Sequence, residues 1–207
     1  MDLLKVAGVA GLVSSVVSLF WNEIKDGRAR KRDARHAALT AALSLERYAR
    51  DARLMMHRAD WAAQEAGRTM SYDPIKGVTL PEFTFPETIE WKWLKHKVTS
   101  QLREFPASLH STRQFLYAEW EFGDPIEVCG EVEFECAKAA KEALDLARLT
   151  REKHGVAPWK PGVQDSDLEN YLTQFIEETA AKREAFRERQ RQMMADLTAE
   201  TALIDQK

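Results

Sequence analysis

Residues 34–63, ARHAALTAALSLERYARDARLMMHRADWAA, contain the pattern that decides the fold. Apolar and small residues recur there every three or four positions, which is the spacing of one face of an α-helix. This stripe comprises Ala34, Ala38, Ala41, Leu45, Tyr48, Ala52, Met55, Met56, Ala59 and Ala63. Because most of these side chains are small, a partner helix can approach closely. We predict one long helix over residues 28–66, ended by Gly67.

An apolar segment, LLKVAGVAGLVSSVVSLFW at residues 3–21, precedes this helix and has Lys5 as its only charged residue. Its nineteen residues would rise ~28 Å as a helix, close to the ~30 Å thickness of a hydrocarbon core. Lys5 can reach the headgroups near one end, and Trp21 suits the opposite interface. The sequence therefore predicts a transmembrane anchor over residues 1–21.

Basic residues follow the apolar segment directly, in residues 22–36. They are Lys25, Arg28, Arg30, Lys31, Arg32 and Arg35. Because an excess of Lys and Arg marks the cytoplasmic side of a span, we expect a single pass with the body of the protein in the cytoplasm. The same six residues are candidate contacts for anionic lipid headgroups, and Asp26-Gly27 is the expected hinge.

Two other interpretations of residues 3–21 compete with the anchor. A helix buried in a soluble core is the first, because three serines and two glycines lower the hydropathy of the segment. A cleaved signal peptide is the second, but the positive charges follow the apolar run instead of preceding it. A lipid-modified N-terminal cysteine is excluded, since the first hundred residues contain no Cys.

Small residues of the apolar segment fall on one arc of its helical wheel at ~100° per residue. The candidate helix-association face comprises Ala7, Gly11, Ser14, Ser15 and Ser18. In lipid, close backbone approach and serine hydrogen bonds favour helix association, so we expect a homo-oligomer formed through the anchor. The alternative is that small residues are simply common in spanning helices.

Residues 67–88 are predicted to form a loop, because three prolines lie within them. We expect Phe83 and Phe85 to pin this loop to the core. Helix is predicted to resume near Thr88. Pro106 is expected to interrupt it, because proline lacks a backbone donor and clashes with the previous turn. A further helix is predicted to follow.

Capping signals mark the starts of the last two predicted helices. Asp124 precedes a proline, and Glu127 occupies the capping-box position of a helix that runs to His154. Ser166 and Glu169 have the spacing of a second capping box. The final helix is nearly all charged beyond its first turns, so its end is expected to project into solvent.

These elements predict an all-α protein in four regions. They are a transmembrane anchor at 1–21, a basic juxtamembrane segment at 22–36, a bundle of about four to five helices at 37–180 and a charged helical tail at 181–207. The composition agrees, with 44% hydrophobic residues, 30% charged residues and only nine Gly and seven Pro. A formal net charge of −3 gives no overall indication of nucleic-acid binding.

The common signatures of catalytic and metal-binding proteins are missing from the sequence. None of the five histidines follows a glutamate by three residues, as a di-iron bundle requires. We therefore nominate no catalytic, cofactor-binding or metal-binding residue and expect no cofactor. Cys129 and Cys136 would lie ~10 Å apart on a helix, too far for a disulfide, and are expected to be buried in a reduced state.

Two clusters have both a functional and a structural interpretation. Residues 119–135 contain seven acidic residues and no Lys or Arg, and Glu127, Glu131 and Glu135 lie at helical spacing. Such a row can bind a divalent cation or a basic partner, but it is more often a solvated face. An aromatic set can line a ligand pocket or fill the core. That set is Trp91, Trp93, Phe105, Phe115, Tyr117 and Trp120.

Three short motifs carry a resemblance to a known group of proteins. They are Trp91-Lys92, Phe105-Pro106 and the stretch REKHGVAP at residues 151–158. The last is similar to R-x-x-Y-G-L-P-P, with His154, Val156 and Ala157 in place of Tyr, Leu and the first Pro. The chain thereby resembles, over residues 85–180, an uncharacterised bacterial and prophage family of small single-pass helical proteins. The resemblance implies a bacterial inner membrane and no particular activity or site residues.

The leading functional expectation is a membrane-tethered, non-enzymatic helical interaction or scaffold module that self-associates through its anchor. Its partners would be the lipid bilayer, other copies of itself and an unidentified protein, and not nucleic acid. One alternative is a helical sensor that binds a small ligand in a Trp-lined pocket. Another is a membrane-perturbing phage or anti-phage effector, which the resemblance suggests.

Overall fold

The computed structural model of this protein describes the backbone of residues 3–204, and the side chains of residue 23 and residues 25–195. Its α-helices are α1 (Leu3–Thr69), α2 (His96–Phe122), α3 (Pro125–His154) and α4 (Leu168–Ile204). Short 3₁₀ turns lie at Asp73–Ile75, Trp91–Trp93 and Val163–Asp165. Over residues 3–204 the chain contains no β-strand, which confirms the all-α prediction.

The core of the bundle is formed mainly by α1 and α3, which run antiparallel. Glu46 of α1 pairs with Arg151 near one end of α3, and Asp60 lies beside Glu133 near its other end. Small buried side chains line the interface and let the two backbones approach closely. They include Ala38, Ala41, Ala42, Ala49, Ala52, Val132, Cys136, Ala140, Ala143 and Ala147. The predicted alanine-rich stripe is therefore the main packing face of α1.

Both α2 and α4 run antiparallel to α3. The backbone N–H of Lys95, just before α2, bonds to the ring of His154 at the end of α3. Arg183 of α4 contacts Glu131 near the start of α3. α1 and α4 therefore point the same way along the bundle.

The two ends of the bundle are called the collar end, after the six basic residues of α1 that lie before or at it, and the far end. α1 enters the bundle at residues 32–37, beside Trp93, and this is the collar end. α2 passes into α3 at residues 122–125, and this is the far end. At 1.5 Å per residue, α1 extends ~50 Å from Arg35 at the collar end to its last residue.

α1 differs from its predicted bounds on both sides. The helix runs unbroken through Asp26-Gly27, so the predicted hinge is wrong; one glycine weakens an exposed helix by only ~1 kcal/mol. The helix also passes Gly67 and ends at Thr69. The Thr69 hydroxyl donates to the Glu65 carbonyl at 2.7 Å, and Met70 takes the left-handed conformation with φ 54°. The helix therefore ends three residues later than the glycine signal predicts.

The predicted start and break of the next helix are also wrong. Between Thr88 and His96 the chain makes only a single 3₁₀ turn, which brings Trp91 against neighbouring aromatic rings. Pro106 lies inside α2 instead of ending it. A proline removes one helical hydrogen bond, but Phe105 beside it is 1% exposed, and burial of that ring helps to hold the helix through this position.

The predicted caps of α3 are confirmed. The Asp124 side chain accepts a hydrogen bond of 2.7 Å from the backbone N–H of Ile126. The helix ends at His154, and Gly155 follows it in the left-handed conformation with φ 64°. Glycine suits this position because the conformation is strained for other residues.

The predicted capping box of α4 is wrong. The Ser166 hydroxyl donates to the carbonyl of Val163 at 2.8 Å and so closes a 3₁₀ turn. Glu169 instead contacts Arg148 of α3. α4 begins at Leu168. Ser166 is therefore used in a local turn and Glu169 in a contact across the bundle, and neither caps the helix.

Among the residues whose side chains the structure describes, no helix is long and apolar enough to cross a membrane. The predicted anchor at residues 3–21 lies outside those described side chains. So do the five residues of the predicted association face, Ala7, Gly11, Ser14, Ser15 and Ser18.

Candidate functional site

The six basic residues that follow the apolar segment are all exposed on α1. They are Lys25, Arg28, Arg30, Lys31, Arg32 and Arg35, and together they are called the collar. Arg32 lies 3.4 Å from Asp33, and its side chain is 80% exposed. A Cβ atom built on Gly155 would lie 3.6 Å from an Arg35 guanidinium nitrogen. The last collar residue therefore lies against the end of α3, where the bundle begins.

The predicted aromatic set does not form one pocket. Phe105 is buried and Trp91 is half-buried within an aromatic cluster, whereas Phe115 and Tyr117 are exposed on α2. Trp93 lies at the collar end, where its indole N–H donates to the Glu90 carboxylate at 2.9 Å. The hypothesis of a pocket lined by this whole set is therefore wrong.

An aromatic cluster fastens the loop between α1 and α2 to the core. The Phe83 ring lies 5.2 Å from Tyr48, 4.7 Å from Phe85 and 5.3 Å from Phe105, each in an edge-on arrangement. The predicted pinning of the loop by Phe83 and Phe85 is confirmed. The Tyr48 hydroxyl is buried without a hydrogen-bond partner among the described residues, and desolvation by burial raises its pKa.

A candidate ligand site lies under the loop that joins α3 to α4. It is a cavity of ≈ 480 Å³ between this loop and the faces of α1 and α3. Six apolar residues line it, namely Leu144, Ala147, Val156, Pro158, Trp159 and Pro161. Ser166 and six charged residues complete the lining, and the charged residues are Glu46, Arg148, Arg151, Glu152, Asp165 and Glu169. Small-molecule sites usually combine an apolar wall with converging polar groups.

A buried ion pair lies at the wall of this cavity. Arg151 donates from Nε to Oε1 of Glu46 at 2.7 Å and from Nη2 to Oε2 at 3.0 Å. Its Nη1 donates to the backbone carbonyl of Ala157 at 2.8 Å. The two side chains are 8% and 2% exposed. This paired geometry satisfies both charges and also holds the start of the loop.

Sequence reasoning missed this pair. Glu46 shares a helix face with Ala42 and Ala49, and both alanines are buried. The predicted stripe does not include that face. A charged residue that has alanines at helical spacing on both sides indicates a buried ion pair, because an unpaired charge would not be stable there.

Further ion pairs fasten the loop over the cavity. Arg53 of α1 lies 3.0 Å from Asp165 and donates to the backbone carbonyl of Gln164 at 3.1 Å. Arg148 of α3 lies 2.5 Å from Glu169 at the start of α4. The loop is therefore tied to α1 and α3 on both sides of the cavity.

The row of glutamates on α3 is only partly solvated. Glu127 is exposed, but Glu131 accepts a hydrogen bond of 2.9 Å from Arg183 of α4. Glu135 binds Lys138 one turn later on the same helix. An arginine of the same chain thus pairs with Glu131. Among the described side chains, no three His, Cys, Asp or Glu residues are grouped to hold a metal ion.

Four titratable groups of α3 have pKa values that are raised mainly by burial, and they are Cys129, Glu133, Cys136 and Glu142. Burial, together with the charge of nearby Asp60, raises the pKa of Glu133 to about 7. Burial raises the pKa of the Cys129 thiol to about 11, and burial with two nearby carboxylates raises that of Cys136 to about 12. Both cysteines are buried and unpaired, which confirms the sequence prediction.

His154 joins α3 to the start of α2. Its Nε2 accepts a hydrogen bond of 2.9 Å from the backbone N–H of Lys95. Its Nδ1 lies 2.9 Å from the carbonyl oxygen of Thr150, to which it donates. This pattern requires a neutral ring with its proton on Nδ1. The ring therefore fixes the position of the α2 start at the collar end.

Comparisons with protein-family models, with curated proteins and with solved structures find no match for this chain. The resemblance drawn from the short motifs therefore stays a prediction. In the structure, one of those motifs supplies Arg151, His154 and Gly155, which hold the loop, the start of α2 and the end of α3.

Proposed function

We propose that this protein is a single-pass, membrane-tethered helical module that presents its bundle at the cytoplasmic face of a bacterial inner membrane. The observation that carries the proposal is the continuity of α1. One helix of 67 residues joins the apolar segment, the exposed collar and the alanine-rich core. The tether and the bundle would therefore move as one rigid body, because no hinge separates them.

The collar supports the proposed orientation. Its six side chains are exposed along α1 between the apolar segment and the bundle. Basic residues at the cytoplasmic boundary of a span contribute about 1 kcal/mol each by contacting anionic headgroups. A rigid helix with such a boundary suits a scaffold that holds partners at a fixed distance from the bilayer.

Charged substitutions inside the apolar segment test the tether. Replacing both Leu12 and Val13 by Arg adds about 5–7 kcal/mol to the free energy of membrane insertion, at about 2.5–3.5 kcal/mol per residue. We expect this variant to leave the membrane fraction, while a control variant with Leu12→Ala and Val13→Ala remains in it. If the arginine variant stayed with the membrane, the proposed tether would be refuted.

Self-association through the anchor is the finer part of the proposal. Gly11 lies on the small-residue arc, and Val13 lies on the opposite arc. In membrane crosslinking, Gly11→Leu should reduce the dimer yield because a larger side chain keeps the backbones apart. Val13→Leu is the matched control and should leave the yield unchanged. An equal yield for both variants would contradict self-association through this face.

A second candidate function is binding of a small amphipathic molecule in the cavity beside Arg151. The ≈ 480 Å³ volume and the half-buried Trp159 ring favour it. Fluorescence enhancement of anilinonaphthalene sulfonate can serve as the probe. We expect Trp159→Ala to weaken dye binding several-fold, because the ring forms part of the wall. Trp61→Ala, which changes an exposed ring on α1, is the control. Equal binding by both variants would remove this candidate.

A further inference from the structure

Two segments of opposite charge lie at the two ends of the bundle. Residues 91–97, WKWLKHK, lie at the collar end and contain three Lys, one His and no acidic residue. Residues 119–135 surround the α2–α3 turn at the far end and contain seven acidic residues with no Lys or Arg. The basic end is also the end from which α1 leads toward the apolar segment. The basic segment is therefore the one of the two that lies on the side of the proposed tether.

The basic side chains of residues 91–97 are accessible. Lys92 lies 2.9 Å from Glu90 and 5.0 Å from the centre of the Trp93 ring. Lys95 and Lys97 are exposed, and neither forms an ion pair with a described side chain. Two ammonium groups are therefore free to meet an external anion.

The fold itself does not account for these charges. Lys97 lies in the first turn of α2, which has no acidic residue, and Lys95 is its N-cap. Positive charges near a helix N-terminus interact unfavourably with the helix dipole. Where a sequence departs from a local stability rule, a functional requirement is the usual reason.

We infer that residues 91–97 form a second contact surface for anionic lipid headgroups, which acts with the collar to hold the bundle with its far end away from the bilayer. The inference rests on the proposed function, because the tether brings the collar end toward the membrane. Trp93 beside the lysines adds an amphipathic ring of the kind that favours the membrane–water interface.

The length of α1 sets the geometry of this contact. From Trp21 to Arg35 the helix rises ~21 Å, and a packed neighbour is offset from its axis by ~10 Å. An upright helix would hold residues 91–97 ~21 Å above the hydrocarbon. A headgroup layer of ~5–8 Å plus a Debye length of ~8 Å reaches only ~13–16 Å.

A tilt of α1 toward residues 91–97 brings these residues within reach of the headgroup layer. A tilt of 20° lowers them to ~16 Å above the hydrocarbon, and a tilt of 40° lowers them to ~10 Å. Both angles lie within the tilt range of ordinary spanning helices. The second surface therefore requires a tilted bundle. Because the helix has no hinge at Asp26-Gly27, this tilt must extend into the apolar segment.

Lysine labelling of the reconstituted full chain tests the inference. Vesicles would contain phosphatidylcholine alone or phosphatidylcholine mixed with phosphatidylglycerol, and acetylation rates would be read by mass spectrometry. We expect Lys95 and Lys97 to react about 5-fold more slowly in the anionic vesicles, and this protection to disappear in high salt. Lys76, ~35 Å along the bundle from the collar end, is the internal control and should react equally in both.

A charge-reversal pair provides a second readout. We expect Lys92, which lies in the same segment, to be protected in the anionic vesicles as well. With Lys95→Glu and Lys97→Glu together, this protection of Lys92 should be lost, whereas the control Lys76→Glu should leave it intact. Equal labelling of Lys95 and Lys97 in both vesicle types, with the chain floating in both, would overturn the inference and leave the tether standing. Failure of the chain to float with phosphatidylcholine vesicles would instead overturn the tether. The inference, which rests on the tether, would then fall with it.

Discussion

The buried pair between Glu46 and Arg151 gives the sharpest quantitative prediction. Arg151→Met removes two hydrogen bonds to the carboxylate and one to the Ala157 carbonyl, and leaves a carboxylate whose side chain is 2% exposed without its partner. Loss of one partner from a buried ion pair costs about 3–5 kcal/mol in the free energy of unfolding. Replacing both residues by Met removes the charge as well. That double variant should lie within about 1–2 kcal/mol of the wild type, the loop bond accounting for about 1 kcal/mol.

Urea unfolding of the full chain in one detergent, followed by circular dichroism, measures these differences. Arg68→Met is the matched control, because Arg68 pairs with Glu65 on the exposed surface, where loss of an ion pair should change the free energy of unfolding little. The reasoning fails if Arg151→Met costs no more than this control. It also fails if the double variant loses the sum of the two single losses, since the pair would then have no coupling.

Four further predictions concern single positions. Burial raises the pKa of Glu133 to about 7, so this residue destabilises the fold progressively as the pH rises from about 4.5, where the unfolded chain ionises, to about 7, and by a constant amount above that. With a discount for solvent screening, thermal unfolding should show Glu133→Gln more stable by about 1–2 kcal/mol at pH 8 and equal at pH 4, and a difference independent of pH would be contrary. The Cys136 thiol, whose pKa is raised to about 12, should react with Ellman's reagent at pH 8 only after unfolding; fast reaction of the folded chain would show that it is accessible. Gly155→Ala should destabilise the fold by about 1 kcal/mol because φ is 64°, whereas Gly162→Ala, with φ −67°, should not; equal urea midpoints would contradict the reason given. Pro106→Ala should stabilise α2 by about 1–3 kcal/mol in urea unfolding by restoring a helical hydrogen bond, and a loss of stability would show that the proline ring itself is needed.

Patterns that depend on neighbouring residues in the chain were predictable from the sequence. The spacing of the alanine-rich stripe gave the packing face of α1, and Asp124 and Gly155 marked the limits of α3 correctly. Phe83 and Phe85 signalled that their loop is pinned. In each case a local rule and the final packing favour the same conformation, so the local rule is sufficient.

Features that depend on contacts between distant elements were not predictable in this way. Pro106 and Gly67 break helices in isolation, but tertiary packing and a side-chain bond carry each helix past them. Ser166 has the spacing of a cap, yet it closes a 3₁₀ turn. Glu46 and Arg151 are 105 positions apart, so only the folded chain reveals their pairing.

The sequence indicates the collar but not the cavity. The collar is visible as six basic residues after an apolar run, because charge and hydropathy are properties of composition. The cavity wall instead combines Trp159, a proline-rich loop and the face of α3. No single stretch of sequence contains that wall, so the sequence does not indicate it.

Alkaline carbonate extraction of membranes from cells that produce the full chain tests the central claim most directly. High pH strips peripheral proteins from membranes and leaves helices that span the hydrocarbon core in place. The proposed tether predicts that the chain stays in the membrane pellet after this treatment. Complete release into the supernatant would contradict it, and the second lipid surface would lose the premise on which its geometry depends.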